Sequence, residues 1–227
     1  MKIAIVVAAG KSERMKAKQN KLFLSLAGKP LLVWTLKAIS GSIIDSIIVV
    51  VQEKDINRTA DLVNEYSIPK ISKIILGGPK RQDSVSNAFN YFEKDVKIVA
   101  INDGARPLAD SNFINKTIKE LWEADGVVPA LMPVDTIKRK RDDYVEETLN
   151  RPDLIAVQTP QIFKKEALLD SYRKAKEEGF YGSDDASLLE RYGYKVKIAK
   201  GAYDNIKITR PSDLAFAEVL IKSKKGQ

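Results

Sequence analysis

Residues 3–15 read IAIVVAAGKSERM. The stretch from Ile3 to Ala8 is unbroken in apolarity and rich in Ile and Val, the pattern of a strand covered on both faces. The residues after it are small and then charged. Ala8, Ala9 and Gly10 let a backbone approach a ligand closely, consecutive amides there can hold an anion, and Lys11 and Arg14 add cations. A buried strand that empties into such a loop puts a binding turn at the carboxyl end of a parallel sheet, where open α/β folds collect their ligands. The loop is not a dinucleotide fingerprint, because the G-x-G-x-x-G spacing is missing. It is not a Walker loop either, because Gly10-Lys11-Ser12 has Ile5 where the first glycine of that motif would stand.

Working outward, the same rhythm continues through all 227 residues. Apolar runs at Ile47–Val51, Lys73–Leu76, Ile98–Ile101, Gly126–Leu131, Lys195–Ala199 and Asn205–Ile208 read as further strands. Amphipathic segments at Pro30–Ile39, Asp55–Glu65, Asp83–Phe92, Ser111–Ala124, Lys165–Glu177, Asp185–Arg191 and Pro211–Ile221 read as helices. This alternation predicts an α/β sandwich on a mostly parallel sheet, in a single domain spanning 1–227. The rhythm stops once, from Pro133 to Pro152, where the composition turns charged. Thr136-Ile137-Lys138 and Tyr144-Val145 flank the turn-like Arg141-Asp142-Asp143, so a β-arm reaching out of the domain is expected at about 133–152.

Composition removes whole classes of chemistry. Cysteine and histidine are both absent. Thiolate nucleophiles, disulfides, cysteine-ligated metals and imidazole acid–base catalysis are therefore excluded. Lys and Arg number 38 against 30 Asp and Glu, a formal charge of +8 that favours anionic partners. The basic runs carry no interleaved aromatics, so a single-strand nucleic-acid platform is not expected. No segment has the length of a membrane span and the start lacks a signal-peptide pattern, so the expected location is the cytoplasm.

Other distinctive segments also fall at strand ends. Gly77-Gly78-Pro79-Lys80-Arg81-Gln82-Asp83-Ser84-Val85 follows the third strand; its glycine pair and Ser84 can read a base edge or simply make a capped turn. Asn102-Asp103-Gly104-Ala105-Arg106-Pro107 follows the fourth, with Asp103 and Arg106 either handling a ligand or forming a structural ion pair. Asp184-Asp185 opens an amphipathic segment, where helix capping competes with a functional role. Lys207, between Ile206 and Ile208, reads as a buried lysine in need of a charge partner.

Taken in order, A-A-G-x-x-x-R-M, G-G-x-x-R-x-x-S-V, D-x-A-R-P, the Thr136/Lys138 arm, Q-T-P-Q (158–161), D-D-A-S-L (184–188) and N-I-K-I-T-x-P-x-D-L (205–214) make the chain resemble the 2-C-methyl-D-erythritol 4-phosphate cytidylyltransferase family from about Lys2 to Leu220. The resemblance implies a Rossmann-like nucleotidyltransferase fold whose β-arm interlocks two subunits of a homodimer. It implies transfer of a cytidylyl group from CTP to methylerythritol phosphate, with release of pyrophosphate and with Mg²⁺ carried mainly by the CTP phosphates. By position, Arg14 and Lys21 resemble the pair that stabilises the triphosphate. Ala8, Ala9, Gly10, Gly77, Gly78 and Ser84 resemble the cytosine and ribose pocket. Asp103, Ser183 and Lys207 resemble the groups near the acceptor phosphate, and Arg106, Thr136 and Arg151 resemble contributions from the partner's arm region.

Two positions depart from the family pattern. Asn20-Lys21-Leu22 stands where the family has Pro-Lys-Gln, so Lys18-Gln19 offers a competing register for the catalytic lysine. Asn102 stands in place of the usual histidine before Asp103. A fused cyclodiphosphate synthase domain, carried by some members, is not expected in a chain without histidine. The nearest alternative is a ribitol 5-phosphate cytidylyltransferase; the D-D-A-S-L-L-E segment and Arg151 favour methylerythritol phosphate over it.

Overall fold

The computed structural model describes residues 1–10, 15 and 20–225. Its strands are β1 (Lys2–Val7), β2 (Ser25–Leu26), β3 (Lys29–Pro30), β4 (Ser46–Val51), β5 (Ile71–Leu76), β6 (Ile98–Asp103), β7 (Gly126–Leu131), β8 (Lys138–Arg141), β9 (Tyr144–Thr148), β10 (Ala156–Val157), β11 (Gln161–Lys164) and β12 (Val196–Lys200). The α-helices are α1 (Leu31–Ser40), α2 (Ile56–Glu65), α3 (Arg81–Ala88), α4 (Ser111–Lys119), α5 (Lys165–Glu177), α6 (Ala186–Arg191) and α7 (Pro211–Lys225).

The central sheet runs β5-β4-β1-β6-β11-β7, with β10 and β12 also paired to β7. Pairs β1–β4, β1–β6, β4–β5 and β7–β12 are parallel, whereas β11 is antiparallel to both β6 and β7. Alternate residues of β1 feed opposite layers: Ala4 and Val6 pack toward Leu32, Leu36 and Ile221, and Ile3 and Ile5 pack toward Val85, Leu168 and Leu188. That two-sided burial is what an unbroken apolar strand requires. From β1 the chain steps outward to β4 and β5, then returns to β6 on the other side. This reversal leaves a crevice at the carboxyl ends of β1 and β6.

Two expectations about elements are corrected. Residues 205–208 form no strand; they cross the end of the sheet, and the Ile208 N–H donates to the Ala105 carbonyl at 2.9 Å. Conversely, Gln161–Lys164 is a strand, slotted between β6 and β7. The arm is an antiparallel hairpin, β8 against β9, turning at Asp142 with φ of 54°. Every residue of both strands is exposed. No helix among the described residues is long and apolar enough to cross a membrane.

Candidate active site

The crevice holds a cavity of about 580 Å³ whose lining includes Ala8–Gly10, Lys21, Gly78, Arg81, Ser84, Asp103 and Lys207. One wall is main chain. Ala8 is tied down by its N–H to the Val50 carbonyl (2.7 Å), and Gly77 by its N–H to the Val51 carbonyl (2.8 Å). A Cβ on Gly77 would come within 2.5 Å of the Ala9 Cβ, and one on Gly78 would collide with Asp83. Only glycine permits this close passage of two loops. Ser84 braces the turn: its hydroxyl accepts from the Gly78 N–H (3.0 Å) and donates to the Lys80 carbonyl (3.1 Å). Asp83 caps the same helix by accepting from the Lys80 N–H at 3.0 Å.

The opposite wall is cationic and centred on Asp103, the last residue of β6. Its carboxylate lies 2.8 Å from Lys207 Nζ, 3.7 Å from Arg81 Nε and 3.8 Å from Arg106 Nε. Burial works against the ionised form of Asp103, but Lys207 and Arg81, helped by Arg106, outweigh it and hold the carboxyl below the ordinary carboxylate range. Arg106 belongs to this cluster rather than to the arm: it is buried, and it donates to the Asn205 carbonyl at 2.6 Å. Burial pulls its guanidinium below the usual arginine value, with Asp103 pulling back.

Lys21 reaches the same wall from a single 3₁₀ turn, Lys21–Phe23, and donates to the Ile208 carbonyl at 2.6 Å, one residue from Lys207. Asn20 fixes that turn. Its Oδ1 accepts from the Leu22 N–H, and its Nδ2 donates to buried Asp55 at 2.8 Å. A proline at position 20 could not make the second bond, so this chain substitutes a side-chain anchor for ring rigidity. Arg14 and Lys18 lie outside the described residues.

The Q-T-P-Q segment supports the cationic wall. Gln158 clamps the loop before Lys207, donating to the Ala202 carbonyl and accepting from the Ala202 N–H and Asn205 Nδ2. The Thr159 hydroxyl accepts from the Asp103 N–H at 3.0 Å. Gln161 reaches the other way, to Asp184 (2.6 Å) and the Ala186 N–H (3.2 Å).

Of the expected site residues, Ala8, Ala9, Gly10, Lys21, Gly78, Ser84, Asp103 and Lys207 converge on the cavity. Gly77 stands just behind it and Arg106 beneath Asp103. Ser183 is exposed and is not among the cavity-lining residues; its neighbour Gly182 donates its N–H to Gln82 on α3. Thr136 and Arg151 are exposed at the root of the arm, where Arg151 donates to the Val134 carbonyl. Sequence reading passed over Arg81 and Gln52, although both line the cavity. Arg81 was a letter in a motif, and nothing local marked it as the bridge to residues a hundred positions away.

The family model for 2-C-methyl-D-erythritol 4-phosphate cytidylyltransferase matches residues 2–223. The enzyme of that name from Caldanaerobacter subterraneus is 43% identical over 222 residues, covering 96% of this chain and 98% of its own. The one from Clostridium acetobutylicum is 40% identical over 230 residues and covers both chains fully. The crystal structure of 4-diphosphocytidyl-2C-methyl-D-erythritol synthase from Anaerococcus prevotii superposes with a TM-score of 0.86 at 32% identity, covering 97% of this chain and 98% of that one.

Proposed function

The chain belongs to the 2-C-methyl-D-erythritol 4-phosphate cytidylyltransferase family, and from that premise we propose how its cleft works. The activity is transfer of a cytidylyl group from CTP to 2-C-methyl-D-erythritol 4-phosphate, a step of isoprenoid synthesis. An oxygen of the acceptor phosphate attacks the α-phosphorus, the bond to the pyrophosphate oxygen breaks, and pyrophosphate leaves with the electron pair. The attacking oxygen is already anionic near neutral pH, so no general base is required. Catalysis reduces to positioning and to offsetting charge on phosphoryl oxygens, which suits a chain without histidine.

The observation that carries this reading is the convergence of Lys21 and Lys207 on one wall, facing a wall of main chain. The nucleoside end of CTP lies along Ala8–Gly10, Gly77, Gly78 and Ser84. Lys21 and Arg14 meet the triphosphate and the α-phosphorus. Asp103, Lys207 and Ser183 face the acceptor, with Arg106 fixing Asp103 from below. The single domain 1–227 works as a homodimer, each arm bringing Thr136 and Arg151 to the neighbour's acceptor site. Exposed Val134, Tyr144 and Val145 support that docking, because apolar side chains on a hairpin with no body beneath it want a second surface.

Asp103 is the sole carboxylate among the described cavity-lining residues, and three cations already face it. No group of three acidic residues among those described could hold a metal ion. The donor set therefore fits Mg²⁺ brought in on the triphosphate, held by phosphate oxygens and water. When bound there, the ion would supply charge compensation to the phosphoryl oxygens.

Pyrophosphate release with CTP and each acceptor tests the reading. Methylerythritol phosphate is expected to be turned over. Selective use of ribitol 5-phosphate would overturn the acceptor assignment, and release with neither would overturn the whole reading.

A further inference from the structure

Behind the cleft a chain of polar contacts runs from the interior of α5 to Asp103. The Tyr172 hydroxyl donates to Asp185 Oδ1 at 2.5 Å, and Asp185 Oδ2 accepts from Arg81 Nη2 at 2.7 Å. The Arg81 Nε edge faces Asp103 at 3.7 Å, and Asp103 holds Lys207 at 2.8 Å. Asp185 is 1% exposed and Tyr172 5%, so neither can touch a ligand. Arg81 does line the cavity.

We propose that Asp185 and Tyr172 are positioning residues for the transfer reaction, pinning the Arg81 guanidinium so that it steadies Asp103 and Lys207 at the acceptor end of the cleft. The inference rests on the transferase reading given above. An arginine in a cleft that admits a triphosphate has a strong competing partner, because phosphate oxygens accept from a guanidinium bidentately. An unanchored Arg81 would be drawn to the triphosphate and away from Asp103. A carboxylate buried without water competes well, since the low-dielectric interior strengthens the pair, and the Tyr172 hydroxyl satisfies its other oxygen.

The neighbouring aspartate separates this role from a merely structural one. Asp184 caps α6, accepting from the Ser187 N–H at 3.0 Å. Asp185 makes no side-chain cap bond. Its two carboxylate oxygens accept from Arg81 and from Tyr172. A lysine at position 81 could not serve as well, because a point charge does not span two carboxylates as a planar fork does.

Pyrophosphate release by the full chain, measured well below its unfolding temperature, tests the proposal alongside CTP affinity measured without acceptor. Tyr172→Phe keeps the ring edge-on to Phe89 and removes only the hydroxyl. It is expected to lower kcat/KM for the acceptor roughly 10-fold, with CTP affinity unchanged. Asp185→Asn is expected to cost roughly 100-fold in the same parameter. Arg81→Ala should lose as much and regain about 10-fold when guanidinium ion is added at low millimolar levels. That rescue should fail once Asp185→Asn is added, or shrink with Tyr172→Phe if the asparagine variant does not fold. Variants that melt earlier but keep wild-type kcat/KM would overturn the proposal, as would guanidinium rescue indifferent to Asp185 and Tyr172. Wild-type chain that binds CTP but transfers to no acceptor would instead overturn the transferase reading.

Discussion

The cluster around Asp103 and the hairpin of β8 and β9 are built from the same ingredients, lysine, arginine and carboxylates, yet they behave as opposites. On the hairpin, Arg139 pairs with Glu147 and Arg141 with Glu146 (2.6 Å), with side chains 31–78% exposed. Water and salt screen such pairs, and their net worth is small. Around Asp103 the pairs are longer, 2.8 to 3.8 Å, but the carboxylate is only 11% exposed. There the buried charges depend on their neighbours, because Asp103 and Arg106 are desolvated and removing one leaves the other poorly compensated. Distance alone would rank the hairpin pairs as the stronger. Burial reverses the order, and it decides which charges can hold geometry for a reaction.

The harshest way to break this contrast is Asp103→Ala, which leaves buried Arg106 without its carboxylate and Lys207 without its partner, while Arg81 keeps Asp185. Activity should vanish, and stability should drop by about 3–5 kcal/mol in urea unfolding. Lys21→Ala removes a cation from the cleft wall, so turnover should fall roughly 10²- to 10³-fold while CTP still binds. A mild Lys21→Ala beside a damaging Lys18→Ala would shift the catalytic register to Lys18.

The arm and the cleft meet in the third experiment. Arg151→Ala and Asp103→Ala homodimers should each be nearly inactive. After full subunit exchange half the dimers are mixed, each with one intact site, so activity should return to about a quarter of wild type. Confirmed mixed dimers without activity would mean that the arm does not complete the neighbour's site.

The pH dependence sharpens the comparison further. The folded-state pKa of Asp103 lies below its ordinary value, so its contribution to stability is present at neutral pH. That contribution should be lost only as acid takes the pH below the ordinary carboxylate range and through the lowered value. Asp103→Asn should flatten this acid limb. Activity between pH 6 and 8 should follow the substrate phosphates or magnesium speciation rather than a protein group, and should move with a phosphonate analogue of different pKa. The smallest effect belongs to the hairpin: Arg139→Ala should cost less than about 1 kcal/mol and leave the pH profile unchanged.

How much of this was legible beforehand differs between the two regions. The arm announced itself by composition, since a charged stretch without period has no core to join. The strands β1, β4, β6 and β7 were readable because burial on both faces demands unbroken apolarity. Strand β11 was not, because two glutamines of Q-T-P-Q flank a proline, and the polar side chains serve as clamps rather than as core. Lys207 was singled out for a partner, and it has one, but the stated reason failed: it is 41% exposed and lies outside any strand. Its alternating isoleucines mimic a strand because Ile208 packs into the core while the backbone bonds to Ala105. The link from Tyr172 through Asp185 to Arg81 left no local signal, because contacts that distant in sequence follow from sheet order alone.

The glycine wall carries a consequence for how this protein can change over time. At Gly77 any side chain meets Ala9 and Ser84, and at Gly78 any side chain meets Asp83. Replacement at these two positions therefore cannot widen the crevice; it can only obstruct it. If the nucleoside lies along this wall as proposed, making room for a larger one at Gly77 and Gly78 calls for a change of loop length between β5 and α3, a rarer genetic event than substitution. The shape of the wall at these glycines is written in backbone path, which makes it resistant to drift by single codon changes.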